Sequence, residues 1–178
     1  MPECIFCEEY GSDDLSEDCT ICPDCGNPPF SGMMFDEKRK EEADKLEEEG
    51  DLIGTWNILF DEWKSYTDRD YYDEGMAVKI SQWIESFFLR RPSLINQRID
   101  FILHQMYNLH YHGGHNEALD MFNRGLKITK DNRRLDLEIK LLEEHGSIQS
   151  QRYGGIENMP NYHEYYTYLS KLLEEHKS

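Results

Sequence analysis

The sequence predicts a mainly α-helical protein with a small cysteine-rich unit at its amino end. Three observations predict it. All five cysteines fall between Cys4 and Cys25, and none follows in the rest of the 178 residues. From Leu52 onward, apolar residues recur at three- and four-residue steps, the period of a helix with one buried face. Outside the cysteine-rich unit, where short hairpins are expected, no stretch alternates apolar and polar residues as a half-buried strand does. The expected division is a first unit over residues 1–32 and a helical domain over 33–178.

Cys4-Ile-Phe-Cys7 is one C-x2-C hook and Cys22-Pro-Asp-Cys25 another, with fourteen residues between them. Two thiolates three positions apart grip one face of a tetrahedral ion, and a second hook closes the other face. Gly26, directly after Cys25, allows the positive φ that such a knuckle requires. After Cys7 the corresponding residue is Glu8. The two hooks resemble the knuckles of zinc ribbons and rubredoxin-type sites, over about 25 residues. That resemblance implies one structural Zn2+ held by Cys4, Cys7, Cys22 and Cys25, with iron as the alternative metal. Cys19-Thr-Ile-Cys22 is also C-x2-C, so Cys19 stands as a substitute ligand for Cys25. The run of three cysteines also suggests an iron–sulfur cluster, but the x3-C-P completion is missing. A unit this small cannot bury a core of its own, so metal binding would supply its folding energy. Residues 27–32 read as the joint, and Met33, Met34 and Phe35 as the apolar base that docks on the helices.

The net charge is −17, and residues 1–35 carry eight acids and no Lys or Arg. Residues 75–178 carry thirteen acids and thirteen bases, so the whole excess lies in the first 74 residues. So acidic a half repels phosphate backbones and attracts basic proteins. Direct nucleic-acid binding is not expected. No apolar run approaches the ~20 residues of a membrane span. Met1-Pro2-Glu3-Cys4 has neither the basic nor the apolar stretch of a secretory signal. The expectation is a cytoplasmic, reducing setting, where clustered cysteines bind metal rather than form disulfides.

The helices follow in order. Residues 36–49 are charged and helix-favouring, with Gly50 as the terminator. Over 51–66, Leu52, Ile53, Trp56, Leu59, Phe60 and Trp63 fall on one face. Over 75–91, Met76, Ala77, Ile80, Trp83, Ile84, Phe87 and Phe88 do the same, and Pro92 stops the pattern. A helix over 93–111 buries Ile95, Ile99, Ile102, Leu103 and Met106 and ends at His112-Gly113-Gly114. Helices over 115–130 and 132–145 follow, the latter ended by Gly146, with a loop over 147–160. The last helix, 161–175, turns Tyr162, Tyr165, Tyr166 and Leu169 one way.

Gly113, Ala118, Phe122, Gly125 and Leu126, followed by Asp131-Asn132, have the spacing of a tetratricopeptide repeat's second helix. Residues 99–132 resemble one such repeat. Gly75, Ile80, Ile84, Phe87, Phe88 and Pro92 echo that frame 38 residues earlier, against the family's period of about 34. The resemblance implies an irregular array of helical hairpins; the other reading is a helical bundle. The Lys and Asn with which some relatives of that family clamp an acidic terminus are replaced here by Leu103 and Tyr107, so that activity is not carried over.

His104, His110, His112 and His115 form the densest histidine group, a candidate second metal site. Arg90, Arg91, Arg98, Arg124, Lys127, Lys130, Arg133 and Arg134 make a basic middle that also flanks helix ends. No nucleophile–base pair, phosphate loop or paired carboxylate stands out, so an enzyme cannot be argued. The expected function is a zinc-binding helical adaptor that engages a basic protein partner. The alternatives are a transcription- or translation-associated factor, or an acidic inhibitor that imitates nucleic acid.

Overall fold

The computed structural model describes residues 31–67 and 72–177, with side chains from Lys38 onward. The five cysteines lie outside the described residues, as do the side chains of Met33, Met34 and Phe35. The class is mainly α. The helices are α1 (Ser31–Glu49), α2 (Leu52–Ser65), α3 (Glu74–Arg90), α4 (Ile95–Tyr111), α5 (His115–Asp131), α6 (Leu135–Tyr153) and α7 (Tyr162–Lys177). Among the described residues there is no strand; one isolated bridge joins Thr67 and Tyr72. The chain divides into two compact units between Ile84 and Glu85, a point within α3.

In the first unit, α1 ends where Gly50 takes φ 86°, a conformation that favours glycine. The Asp51 amide then donates back to the Leu46 carbonyl at 2.9 Å. The Asp51 side chain caps α2 by accepting from the Gly54 amide at 2.9 Å. The two helices pack closely where α1 offers only Ala43, and the Thr55 hydroxyl reaches the Ala43 carbonyl at 3.3 Å. Trp56, Phe60 and Trp63 stack in succession down α2, the first pair 4.6 Å apart. Ile53, expected on the buried face, is 49% exposed. That face is centred on Thr55, Leu59 and Glu62, which leaves position 53 on its flank.

In the second unit, α4 and α5 form a hairpin through His112-Gly113-Gly114, with Gly113 at φ 85°. The next turn, Asn132-Arg133-Arg134, places Arg133 at φ 55° and sends α6 back along α5. Ile99, Ile102, Met106, Phe122, Leu141, Leu142, Ile148 and Leu172 belong to one core cluster. Gly125 lets three helices converge. A Cβ there would stand 3.0 Å from both Leu141 methyls and 3.3 Å from Ile102. On α7 the core face carries Tyr165, Tyr168, Leu169 and Leu172, whereas Tyr166, expected to share it, is 43% exposed.

The main departure from the expected layout is in α6. Gly146 does not end the helix, which runs on to Tyr153 and stops at Gly154 with φ 70°. Gly146 is buried, and a Cβ on it would run into the Tyr165 hydroxyl. That hydroxyl donates to the Leu142 carbonyl at 2.5 Å. The glycine is therefore a seat for a tyrosine, and the loop expected over 147–160 shrinks to a turn around Ile156–Asn158.

Replacing a mid-helix glycine with alanine normally stabilises by about 1 kcal/mol. Here the sign reverses, and we expect Gly146→Ala to cost about 1–3 kcal/mol through overpacking. Tyr165→Phe removes the clashing oxygen. The double variant should then be more stable than the sum of the single effects, as measured by denaturant unfolding. Additive costs would contradict the seat.

Candidate functional site

The second unit contains a cleft of about 450 Å³, built by α5, α6 and α7. α6 packs against both neighbours, and each contributes a wall. His115, Asn116, Leu119, Phe122 and Leu126 come from α5. Leu142, His145, Gln149, Arg152 and Tyr153 come from α6, and Met159, Asn161, Glu164, Tyr165 and Tyr168 from α7 and the segment before it. α5 and α6 run in opposite directions, so the start of α5 lies beside the end of α6. His115, Gln149 and Arg152 accordingly lie toward one end, and Leu126 and Leu142 toward the other.

At mid-cleft the His145 imidazole stacks on Phe122, with centroids 3.9 Å apart and planes 11° off parallel. Burial pushes the His145 pKa down to about 4, because an imidazolium there would lose its hydration. At neutral pH this wall is an uncharged aromatic surface. Burial also pushes the Tyr165 hydroxyl up to about 12, so it stays protonated and donates to Leu142. Tyr168 donates to Glu138, and Lys130 lies 3.7 Å from the same carboxylate, so that buried charge is satisfied.

At the other end, His110 and His115 bring their Nδ1 atoms within 3.1 Å. One ring must donate and the other accept. His110 is held below the usual histidine range by burial first, then by His115 and Arg152. Arg152 lies over the Tyr153 ring at 5.2 Å.

Of the four histidines singled out from sequence, His110 and His115 meet, and His104 and His112 are exposed. Among the described residues no three His, Cys, Asp or Glu gather to hold a metal ion, so the candidate second metal site is not assembled there. Four of the eight cations of the basic middle, Arg98, Arg124, Lys130 and Arg134, pair with carboxylates of the same unit. Glu85 receives Arg124 and has Arg98 at 3.8 Å. Arg134 takes Asp136 through two hydrogen bonds, at 2.9 and 2.6 Å. Lys127 and Arg133 remain exposed. Among the described residues no helix is long and apolar enough to cross a membrane. For the cysteines, the test is the donor set alone: four thiolates in two C-x2-C hooks match a closed tetrahedral zinc site.

Comparison with known protein families, characterised proteins and solved structures finds no match. The cleft therefore rests on its own geometry. Sequence reasoning missed Gln149 and Arg152 because it ended α6 at Gly146, and it singled out none of Asn116, Leu119, His145 and Glu164, which lie in helices it did expect. A signal was present: Leu137, Leu141, Leu142 and Ile148 keep helical spacing across the glycine.

A pH dependence follows from His145. Its folded pKa lies below the ordinary value of about 6.5, so between that pH and about 4 the unfolded chain takes up a proton that the folded chain refuses. The stability present above pH 6.5 should fall with decreasing pH, by up to about 3 kcal/mol near pH 4. His145→Phe should keep the stack and flatten the slope of melting temperature against pH over that window. An unchanged slope would remove His145 as its source.

Proposed function

We propose that this protein is a zinc-binding adaptor working by protein–protein contact. In this reading a structural zinc, held by Cys4, Cys7, Cys22 and Cys25, fixes a small ribbon to a scaffold of tetratricopeptide-like helical hairpins, clearest over residues 99–132. The acidic first half engages a basic protein partner. The observation that carries the proposal is the charge distribution. Sixteen of the seventeen excess negative charges precede Glu85, while six of the second unit's twelve cations pair with its own carboxylates. The acid excess thus belongs to the first unit, and the second is nearly neutral and bears the cleft. The cleft supports a binding role: His145 is held neutral by burial, and the Tyr165 and Tyr168 hydroxyls are committed to Leu142 and Glu138.

Attraction between surface charges is screened over about 8 Å at physiological salt. Partners captured from lysate by the immobilised full-length protein should be basic and should elute as salt rises. Neutralising Asp13, Asp14, Glu17 and Asp18 together should slow their association more than it speeds their release. Capture of RNA that is lost in Arg133→Ala with Arg134→Ala, but kept in the neutralised variant, would replace this reading with a nucleic-acid one.

The metal has its own check. Elemental analysis should find one zinc per chain, retained in Cys19→Ser and lost in Cys25→Ser. Retention in Cys25→Ser with loss in Cys19→Ser would make Cys19 the ligand. A full equivalent of iron would overturn zinc.

A further inference from the structure

We infer that the cleft beside α6 is a peptide-binding site. It takes a short extended segment of a second partner, carrying an apolar or aromatic side chain close to a carboxylate. The inference deepens the adaptor reading and rests on it: an acidic surface recruits one protein and the cleft holds another.

The first argument is the polar rim. Each of the three walls presents one primary carboxamide, Asn116 from α5, Gln149 from α6 and Asn161 at the head of α7. A carboxamide offers an N–H donor and a carbonyl acceptor, the same pair that a peptide unit presents. An extended segment enters with its own backbone N–H and C=O groups unpaired, and these must find partners as water leaves. Carboxamides on three sides suit that demand better than charged groups, which would have to be desolvated.

The second argument is the floor. Leu119 is 44% exposed at the lip, and beneath it the neutral His145–Phe122 stack continues the apolar wall toward Leu126 and Leu142. A volume of about 450 Å³ is in the ordinary range of ligand sites and admits an apolar side chain with its flanking backbone.

The third argument is charge. Among the described residues Arg152 forms no ion pair, and its guanidinium lies over Tyr153 instead. Glu164 lines the α7 wall. A carboxylate in the occupant is therefore drawn to the Arg152 side, which sets the direction in which the segment lies.

A random dodecapeptide library displayed on phage, selected on the immobilised full-length protein, tests this. Enriched sequences should pair an aromatic or branched apolar residue with a nearby Asp or Glu. A synthetic peptide of the best sequence should lose at least about tenfold in affinity in Arg152→Ala and in Leu119→Asp. Both positions are exposed enough for helix content by circular dichroism to stay unchanged. Peptides that bind both variants as tightly as the parent overturn the site, as does a selection without enrichment. Enrichment of Lys- and Arg-rich sequences alone, lost on neutralising Asp13, Asp14, Glu17 and Asp18, also overturns it, while leaving the acidic-surface reading standing.

Discussion

The second unit depends on one contact, the Tyr165 side chain seated on the bare backbone of α6 at Gly146. The hydroxyl is half-buried, protonated and bonded to the Leu142 carbonyl, one turn before the glycine. A side chain at position 146 would lift α7 away from α6. With α7 seated, the core gains Tyr168, Leu169 and Leu172, and the segment holding Met159 and Asn161 closes one side of the cleft. α6 meanwhile stays helical to Tyr153, so Gln149 and Arg152 project from a rigid element, which places them more precisely than a loop would.

The chemistry of the cleft follows from what that seat buries. His145 is stripped of water and pressed against Phe122, so it serves as an aromatic surface and not as a proton carrier. Tyr168, Lys130 and Glu138 satisfy one another at the inner end. What remains open is a set of carboxamides, one arginine and one glutamate around an apolar floor. Such a set suits recognition, because it offers hydrogen bonds and a direction without activating a nucleophile. The ion-paired cations of this unit contrast with the acid excess that precedes Glu85, and the adaptor we propose would account for both.

Much of the helical layout was legible in the sequence because local signals agreed with packing. Gly50, Pro92 and Gly113 are stops in the sequence and in the structure alike, whereas the helix expected from residue 132 begins only at Leu135, after a turn. The apolar spacing of Ile80, Ile84 and Phe87, and of Ile99, Ile102 and Met106, marks buried faces correctly. Gly146 was misread for a physical reason. Glycine is used both where the backbone needs a left-handed residue and where a neighbour needs room, and a single sequence does not say which. Part of the cleft was hidden for the same reason, since Gln149 and Arg152 follow that glycine. Ile53 and Tyr166 show a smaller limit: spacing gives the width of an apolar stripe, and packing decides where its edge falls.

The central claim is that α6 is one unbroken helix from Leu135 to Tyr153 carrying the cleft on its second half. Amide hydrogen exchange on the full-length protein reads this directly. The account predicts that amides of residues 147–153 exchange slowly, in step with those of residues 139–145, because both belong to one cooperatively packed element. Rapid exchange beginning at Gly146, with protection confined to the residues before it, would contradict the unbroken helix and remove the cleft with it.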